Sequence, residues 1–125
     1  MKTNITGIKV LSTFGAPQLE EEVNNYLKKR MSISIVKRDM CFHDPHRSCL
    51  QISFCYNNKD VERHGTPEQV KIFNNFPGGT SSLKNIEKDV QNFISSKKEV
   101  VDVLFVNYTD KHVTLQAIAV FYLDY

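Results

Sequence analysis

Apolar residues recur along the chain with two spacings, and these spacings follow each other in the same order in both halves. A spacing of two residues indicates a β-strand with one buried face, and a spacing of three to four residues indicates an amphipathic helix. We therefore predict strands over residues 5–14, 32–42, 49–56, 68–76, 99–108 and 112–124, and helices over residues 18–31 and 83–96. Each half has the order β-α-β-β, which predicts an α+β fold.

The two halves also match residue by residue. At an offset of 66 residues the last strands align, which pairs His46 with His112, Ser48 with Thr114, Ile52 with Ile118, Phe54 with Val120 and Tyr56 with Tyr122. The helices align at an offset of 67 and the first strands at 62. Slips confined to loops are expected of a duplicated unit that has drifted. We predict one domain over residues 1–125, with unit one at 5–56, a linker at 57–67 and unit two at 68–124, related by a pseudo-twofold axis.

The segment 112–124 is apolar on both of its faces, with Leu115, Ala117 and Phe121 on one face and Ile118 and Val120 on the other. An antiparallel strand with one face in water alternates apolar and polar residues. This strand is therefore expected to be central and covered twice. We expect the two helices to cover one face of an antiparallel-rich sheet or pair of sheets. The other face would then meet the second half-sheet or another subunit, which favours a homodimer or a larger homo-oligomer.

Composition excludes several classes of protein. The apolar fraction of 41% is sufficient for a core, and no apolar run approaches the roughly 20 residues of a membrane span. The N-terminus lacks the apolar stretch of a signal peptide. Three cysteines without a framework spacing indicate free thiols and a reducing bacterial cytoplasm. A net charge of +2 gives no reason to expect a nucleic-acid partner, and no glycine pattern for a nucleotide cofactor occurs.

Cationic side chains are predicted at the turns that connect the last two strands of each unit. If both hairpins point the same way, these side chains gather at one end of the sheets, where an aromatic ring could stack on a base. Such a cluster suits a phosphate-bearing ligand. The candidate ligand-binding residues are Arg38, Phe42, His46, Arg47, Phe76, Lys111 and His112. The alternative is an ordinary solvated surface.

The equivalent triplets His46-Arg47-Ser48 and His112-Val113-Thr114 resemble the paired H-x-[ST] motifs of the two-histidine phosphoesterases. That resemblance implies His46 and His112 as general base and acid, with Ser48 and Thr114 holding the phosphate. Cleavage of a phosphodiester needs both proton transfers. Arg47 departs from the apolar residue that the family has at this point, and the chain is short for the family. The alternative is that each histidine is an ordinary polar residue at the end of a hairpin and has no catalytic role.

Cys41, His43, His46 and Cys49 are the residues from which a metal site would have to be built. Zinc binds cysteine and histidine in a tetrahedron, and its ligands usually come from two separated pairs. Here all four residues flank a single turn, so both arms of one hairpin would have to converge. The alternative is a polar hairpin flanked by strand cysteines, with no metal.

Unit two resembles the small sporulation-type proteins of Gram-positive spore formers and their phages, each of which is a single unit of this kind. The resemblance covers residues 68–124 and, more faintly, unit one. It is carried by the segment 69–73, by Val101-Asp102-Val103, by Val120-Phe121-Tyr122 and by the helix residues Ile86, Val90, Asn92, Phe93 and Ile94. These are mostly core positions, so the resemblance implies a fold and brings no catalytic residues.

Three functional hypotheses follow. The build is similar to that of phage sponge proteins, which sequester cyclic nucleotide immune signals, so the leading hypothesis is a non-enzymatic protein that holds such a nucleotide at an oligomer interface. The second is a phosphodiesterase that uses the two histidines. The third is a module that binds another protein through a sheet edge.

Overall fold

A computed structural model describes residues 4–30, 33–58, 67–76, 79, 81–97 and 99–124. Most of the predicted linker, residues 59–66, lies outside the described residues. Unit one contains β1 (Gly7–Phe14), α1 (Ala16–Lys29), β2 (Ser34–Asp44) and β3 (Cys49–Asn57). Unit two contains β4 (Gln69–Asn74), α2 (Ile86–Ser95), β5 (Glu99–Thr109) and β6 (Thr114–Leu123).

The predicted α+β fold is confirmed, because each unit forms an antiparallel three-stranded sheet with one helix. The first sheet has the order β1-β3-β2 and the second has the order β4-β6-β5, so the last strand of each unit is central. Helix α1 begins immediately after Gly15, whose φ of 81° lies in the region that favours glycine. Pro17 follows in the first turn, where a missing N–H leaves no partner unsatisfied.

The two units also share a β-bulge. In unit one the register shifts between Ile35 and Lys37, opposite Tyr56 and Cys55 of the central strand. In unit two it shifts at the equivalent place, with the bulge 100–102 opposite residues 121–122 of β6. A bulge re-aims a strand and persists within a family. Its repetition supports an origin of both units from one ancestor.

Each helix covers the equivalent face of its own sheet, which we call the front face. Leu19 and Val23 of α1 pack in one core with Ile52 of β3. In the second unit, Val90 of α2 packs in a separate core with Val120 of β6. We call the opposite surface of each sheet the back face.

The units stack with the front of the first sheet against the back of the second. The ring of Phe54, on the front of β3, meets the ring of Phe121, on the back of β6, at 5.9 Å between centroids. Strand β6 is therefore covered twice, as predicted, by α2 on its front and by unit one on its back. Both covers come from this chain, so the apolar character of β6 does not by itself require another subunit.

The expectation that both helices cover one face of the assembled sheets is wrong. Helix α1 lies in the core between the two sheets, whereas α2 lies on the opposite side of the second sheet. Front-to-back stacking also differs from the expected pseudo-twofold, which would bring equivalent faces together. The reason lies in the two back faces. The back of β6 is fully apolar, whereas the back of β3 carries Gln51 and Ser53, so only the back of unit two is suited to burial.

Helix α1 also binds the outer edge of β4. The amide of Asn24 donates to the carbonyl oxygen of Val70 (3.1 Å) and accepts from the N–H of the same residue (2.7 Å). One turn earlier, Oε1 of Glu20 accepts from the N–H of Ile72 (2.7 Å). The four residues from Glu20 to Asn24 span about 6 Å along the helix, and the two residues from Val70 to Ile72 span about 6.6 Å along the strand, so the helix donors and acceptors match the strand edge. The helix thus satisfies an edge that would otherwise offer free backbone groups.

Among the described residues, no helix combines the length and the apolar composition that crossing a membrane requires.

Candidate functional site

The hairpin ends of the two units are built on the same side-chain-to-backbone turn. Oδ1 of Asp44 accepts from the backbone N–H of His46 at 3.1 Å. Oδ1 of Asp110 accepts from the backbone N–H of His112 at 2.8 Å and from that of Val113 at 2.9 Å. Such turns fix the backbone next to an aspartate. The backbone at His46 and the backbone at His112 are therefore held by the same kind of turn, at equivalent positions of the two units.

The two hairpin ends lie side by side. The imidazole of His46 meets the ring of Tyr108 edge-on, with 5.8 Å between centroids. The N–H groups of His112 and Val113 hold the pKa of the Asp110 carboxyl below its ordinary value, and His46 of the other unit adds to this lowering. The ring contact between His46 of unit one and Tyr108 of unit two shows that the two hairpins are neighbours.

Four of the candidate ligand-binding side chains lie at these hairpin ends. His46, Arg47, Lys111 and His112 are all exposed. Nε of Arg47 is 3.7 Å from the Asp44 carboxylate, a long and solvent-exposed ion pair that leaves the guanidinium accessible. We call these four residues together with Tyr108 the hairpin-end cluster.

The two candidate stacking aromatics differ in position. Phe76 is 6% exposed and belongs to the core between the sheets, so its ring cannot stack on a base while the core is closed. Phe42 is half-buried, and its ring lies 5.7 Å from that of Phe76 and 6.2 Å from that of Tyr108. Tyr108, whose ring contacts that of His46, is thus the aromatic residue placed at the hairpin ends among the described ring contacts, and it is not among the residues predicted from the sequence.

Arg38 is placed elsewhere, inside the interface between the two units. Its guanidinium forms an ion pair with Glu68, and the two side chains are 7% and 2% exposed. A second carboxylate, that of Asp102, is 3.9 Å away, and the guanidinium carbon lies 5.3 Å from the ring centroid of Phe121. Six strand residues separate it from the hairpin end, which is about 20 Å. Arg38 therefore holds the units together and is not available to a ligand at the cluster.

The hydroxyls of the two H-x-[ST] triplets are not equivalent in the structure. Ser48 has a φ of 56° and ends the 3-10 turn Pro45–Arg47. Thr114 is the first residue of β6, and its hydroxyl lies 3.5 Å from that of Thr109. If both hydroxyls held one phosphate, Ser48 and Thr114 would be expected to have the same backbone conformation and the same place relative to the strand. The aspartates beside the histidines bind backbone N–H groups, so neither of these contacts orients an imidazole for proton transfer.

The candidate metal ligands do not converge. Cys41 is exposed on β2, whereas Cys49 is buried at the start of β3. The thiol of Cys49 lies 3.9 Å from the carbonyl oxygen of Arg47, and the thiol of Cys41 lies 3.7 Å from the amide nitrogen of Gln51. Within the described ranges, no three histidine, cysteine or acidic residues are arranged to hold a metal ion.

Comparisons with protein-family models, curated proteins and solved structures found no match. The resemblance of unit two to the sporulation-type proteins therefore stays a prediction from its residues.

Proposed function

We propose that this protein is a non-enzymatic binding protein of the bacterial cytoplasm that sequesters a small nucleotide ligand at the hairpin-end cluster. The observation that carries the proposal is the pair of equivalent aspartate turns, which present exposed His46 and His112 beside Arg47 and Lys111. Guanidinium, ammonium and imidazolium groups donate charge-assisted hydrogen bonds to phosphate oxygens. The ring of Tyr108, next to His46, offers an aromatic surface for the base.

The geometry favours binding over cleavage. A general base and acid need a defined approach to the same phosphodiester, and Ser48 and Thr114 have different backbone settings. Binding demands less, since it requires only positive charge and hydrogen-bond donors on a turn that is already ordered. The small duplicated build is similar to that of phage sponges, so cyclic nucleotides and ADP-ribose derivatives are the first ligands to test.

The exposure of the cluster limits the affinity that one chain can reach. A hydrogen bond to a charged group contributes about 1.5–3 kcal/mol, and two or three of them offset part of the cost of association. We therefore expect affinities of roughly micromolar to millimolar for one open cluster. Tight sequestration would require a second copy that encloses the ligand.

Calorimetry with a panel of cyclic dinucleotides, cyclic mononucleotides and ADP-ribose derivatives tests the proposal. We expect heat with at least one ligand, and a loss of binding of tenfold or more, about 1.4 kcal/mol, in His46→Ala with His112→Ala and in Lys111→Ala. Lys37→Ala is the matched control, because Lys37 is equally cationic, 65% exposed and far from the hairpin ends. No heat with any member of the panel would remove the ligand proposal.

Product analysis separates the two classes of function. Ligand recovered intact after the protein is denatured means sequestration. Ligand recovered as cleaved product, with activity lost in His112→Ala, would overturn the non-enzymatic proposal in favour of a phosphodiesterase.

A further inference from the structure

The front face of unit two has an open groove between α2 and β5, with a volume of about 460 Å³. It is lined by Ile86, Val90, Phe105 and Ile118, and by Glu87 and Gln91 on the helix. Phe105 is 63% exposed, a large value for a phenylalanine. An exposed apolar surface rimmed by polar groups is typical of an interaction site.

Unit one shows what occupies this groove. At the offsets of the duplication, the groove residues other than Phe105 correspond in order to Leu19, Val23, Ile52, Glu20 and Asn24. Phe105 corresponds to Met40, because Phe105 pairs with Ile118 and Met40 pairs with the equivalent Ile52. In unit one these apolar residues are covered by the back face of unit two, and the two polar residues bind the edge of β4. The front of unit two is therefore a second copy of a docking surface that is already filled once in the same chain.

The helix residues that bind the edge strand are present in both units. Glu20 and Asn24 bind the backbone of Ile72 and Val70. Their equivalents Glu87 and Gln91 are also one helical turn apart, and both are exposed. A glutamine offers the same amide donor and acceptor as an asparagine. Helix α2 thus presents the groups that would bind an edge strand of the β4 type.

The strand that corresponds to β4 is β1, and no strand of the described residues pairs with its outer edge. The N–H of Gly15 donates to the carbonyl oxygen of Ser48, so the odd-numbered residues of β1 bond to β3. The N–H and carbonyl groups of Ile8 and Val10 consequently point away from the sheet. These residues are the equivalents of Val70 and Ile72, and their side chains are 69% and 48% exposed. Within the part of the chain that the structure describes, no side chain binds their backbone.

We infer that the chain associates head to tail with second copies of itself: the α2 groove of one copy, the head, takes the outer edge and back face of β1 of the next copy, the tail. Gln91 binds both backbone groups of Ile8, and Glu87 binds the N–H of Val10. Lys71 lies 3.9 Å from Glu20 in the filled interface, and its equivalent Lys9 pairs with Glu87 in the new one. This inference stands independently of the proposed ligand.

The symmetry of the interface determines the form of the assembly. Head and tail are different surfaces, so the contact is heterologous and leaves a free head and a free tail on each dimer. Such contacts give a ring if the rotation closes and a filament if it does not. The back of β3 carries Gln51 where the back of β6 has Ala117. Because the tail is more polar than the back of unit two, we expect the association between copies to depend on concentration.

Two single-surface variants test the mode of association. Phe105→Asp places a charge in the head, and Val10→Asp places a charge on the tail; both positions are exposed, so each variant is expected to fold. Sedimentation and native mass spectrometry should show wild-type assemblies larger than a dimer at high concentration. Each variant alone should be monomeric. An equimolar mixture should form a one-to-one dimer and stop there, because only one intact head and one intact tail remain.

Val113→Asp is the matched control, because Val113 is 41% exposed and lies on neither surface, so this variant should assemble as the wild type does. A wild-type chain that stays monomeric at millimolar concentration would overturn the inference. A mixture of the two variants that stays monomeric, while the wild type associates, would also overturn it, because a twofold contact would then replace the head-to-tail contact.

A charge reversal tests the register within the interface. Glu87→Lys or Lys9→Glu alone should weaken association by roughly tenfold, and the double variant should recover most of that loss. Failure of the double variant to recover would contradict the pairing of residues 9 and 87.

Discussion

The side-chain amide of Asn24 binds Val70 as a neighbouring strand would, donating to its carbonyl oxygen and accepting from its N–H. A helix thus occupies the place of a fourth strand at the edge of the second sheet. This contact explains why the units stack as they do, since the helix of unit one must lie along β4. It also separates two positions that the sequence makes look alike, because Asn24 is engaged and its equivalent Gln91 is exposed.

The first prediction compares these two positions. We expect Asn24→Ala to lower the free energy of unfolding by about 2–4 kcal/mol, because both backbone groups of Val70 lose a partner in a part-buried setting. Gln91→Ala should change it by no more than about 0.5 kcal/mol, as is usual for surface substitutions. Urea unfolding at low protein concentration measures both. Equal effects at the two positions would contradict this account of α1.

The second prediction concerns the ion pair between Arg38 and Glu68 in the interface of the units. Arg38→Ala leaves the Glu68 carboxylate buried without that guanidinium and should destabilise the fold by about 3–5 kcal/mol. The double variant Arg38→Met with Glu68→Gln should lose far less stability than the sum of the losses in Arg38→Met alone and Glu68→Gln alone, because the double variant removes both buried charges together. A thermodynamic cycle from urea unfolding gives the coupling. Additive effects would mean that the pair does not hold the units together.

Much of the architecture was predictable because the same β-α-β-β order of periodic segments occurs in both halves. The stacking of the units was not. Ile8 and Val10 are as apolar as Val70 and Ile72, so the alternation along β1 and β4 does not tell which back face is buried within the chain. The difference lies on the central strands, where Ala117 of β6 corresponds to Gln51 of β3.

The site was less predictable than the fold, because charge alone does not tell which face of a strand a residue occupies. Along β2, Arg38 lies on the same face as Met40 and Phe42, which pack in the core between the sheets. The period-two alternation of the sequence therefore predicts that Arg38 faces this core. The same parity places Tyr108 with Leu104 and Val106 on the back of β5. Its approach to His46 depends on how the units stack, and periodicity within one unit carries no such information.

The third prediction is a pH dependence at the hairpin end. The pKa of Asp110 lies below its ordinary value of 3.8, first because of the N–H of His112 and then because of that of Val113. A lowered carboxyl pKa stabilises the folded turn fully above about pH 3.8, and this contribution is lost as the pH falls through the lower folded value. NMR titration should show the Asp110 carboxyl and the amide proton of His112 changing together below pH 3.8. Asp110→Asn should abolish the change in the amide proton of His112. If that amide proton still changed below pH 3.8 in this variant, the assignment to Asp110 would be contradicted.

The fourth prediction uses a pair of equivalent phenylalanines to connect folding with assembly. Phe76 is 6% exposed in the shared core, and its equivalent Phe14 is 65% exposed on the tail. We expect Phe76→Ala to lower the free energy of unfolding by about 3–5 kcal/mol, because it opens a cavity that the two sheets cannot close. Phe14→Ala should leave monomer stability within about 0.5 kcal/mol of the wild type and should weaken self-association. Thermal unfolding at low concentration and sedimentation at high concentration separate the two effects. If Phe14→Ala left association unchanged and lowered stability as Phe76→Ala does, Phe14 would belong to the core of the monomer and not to the tail.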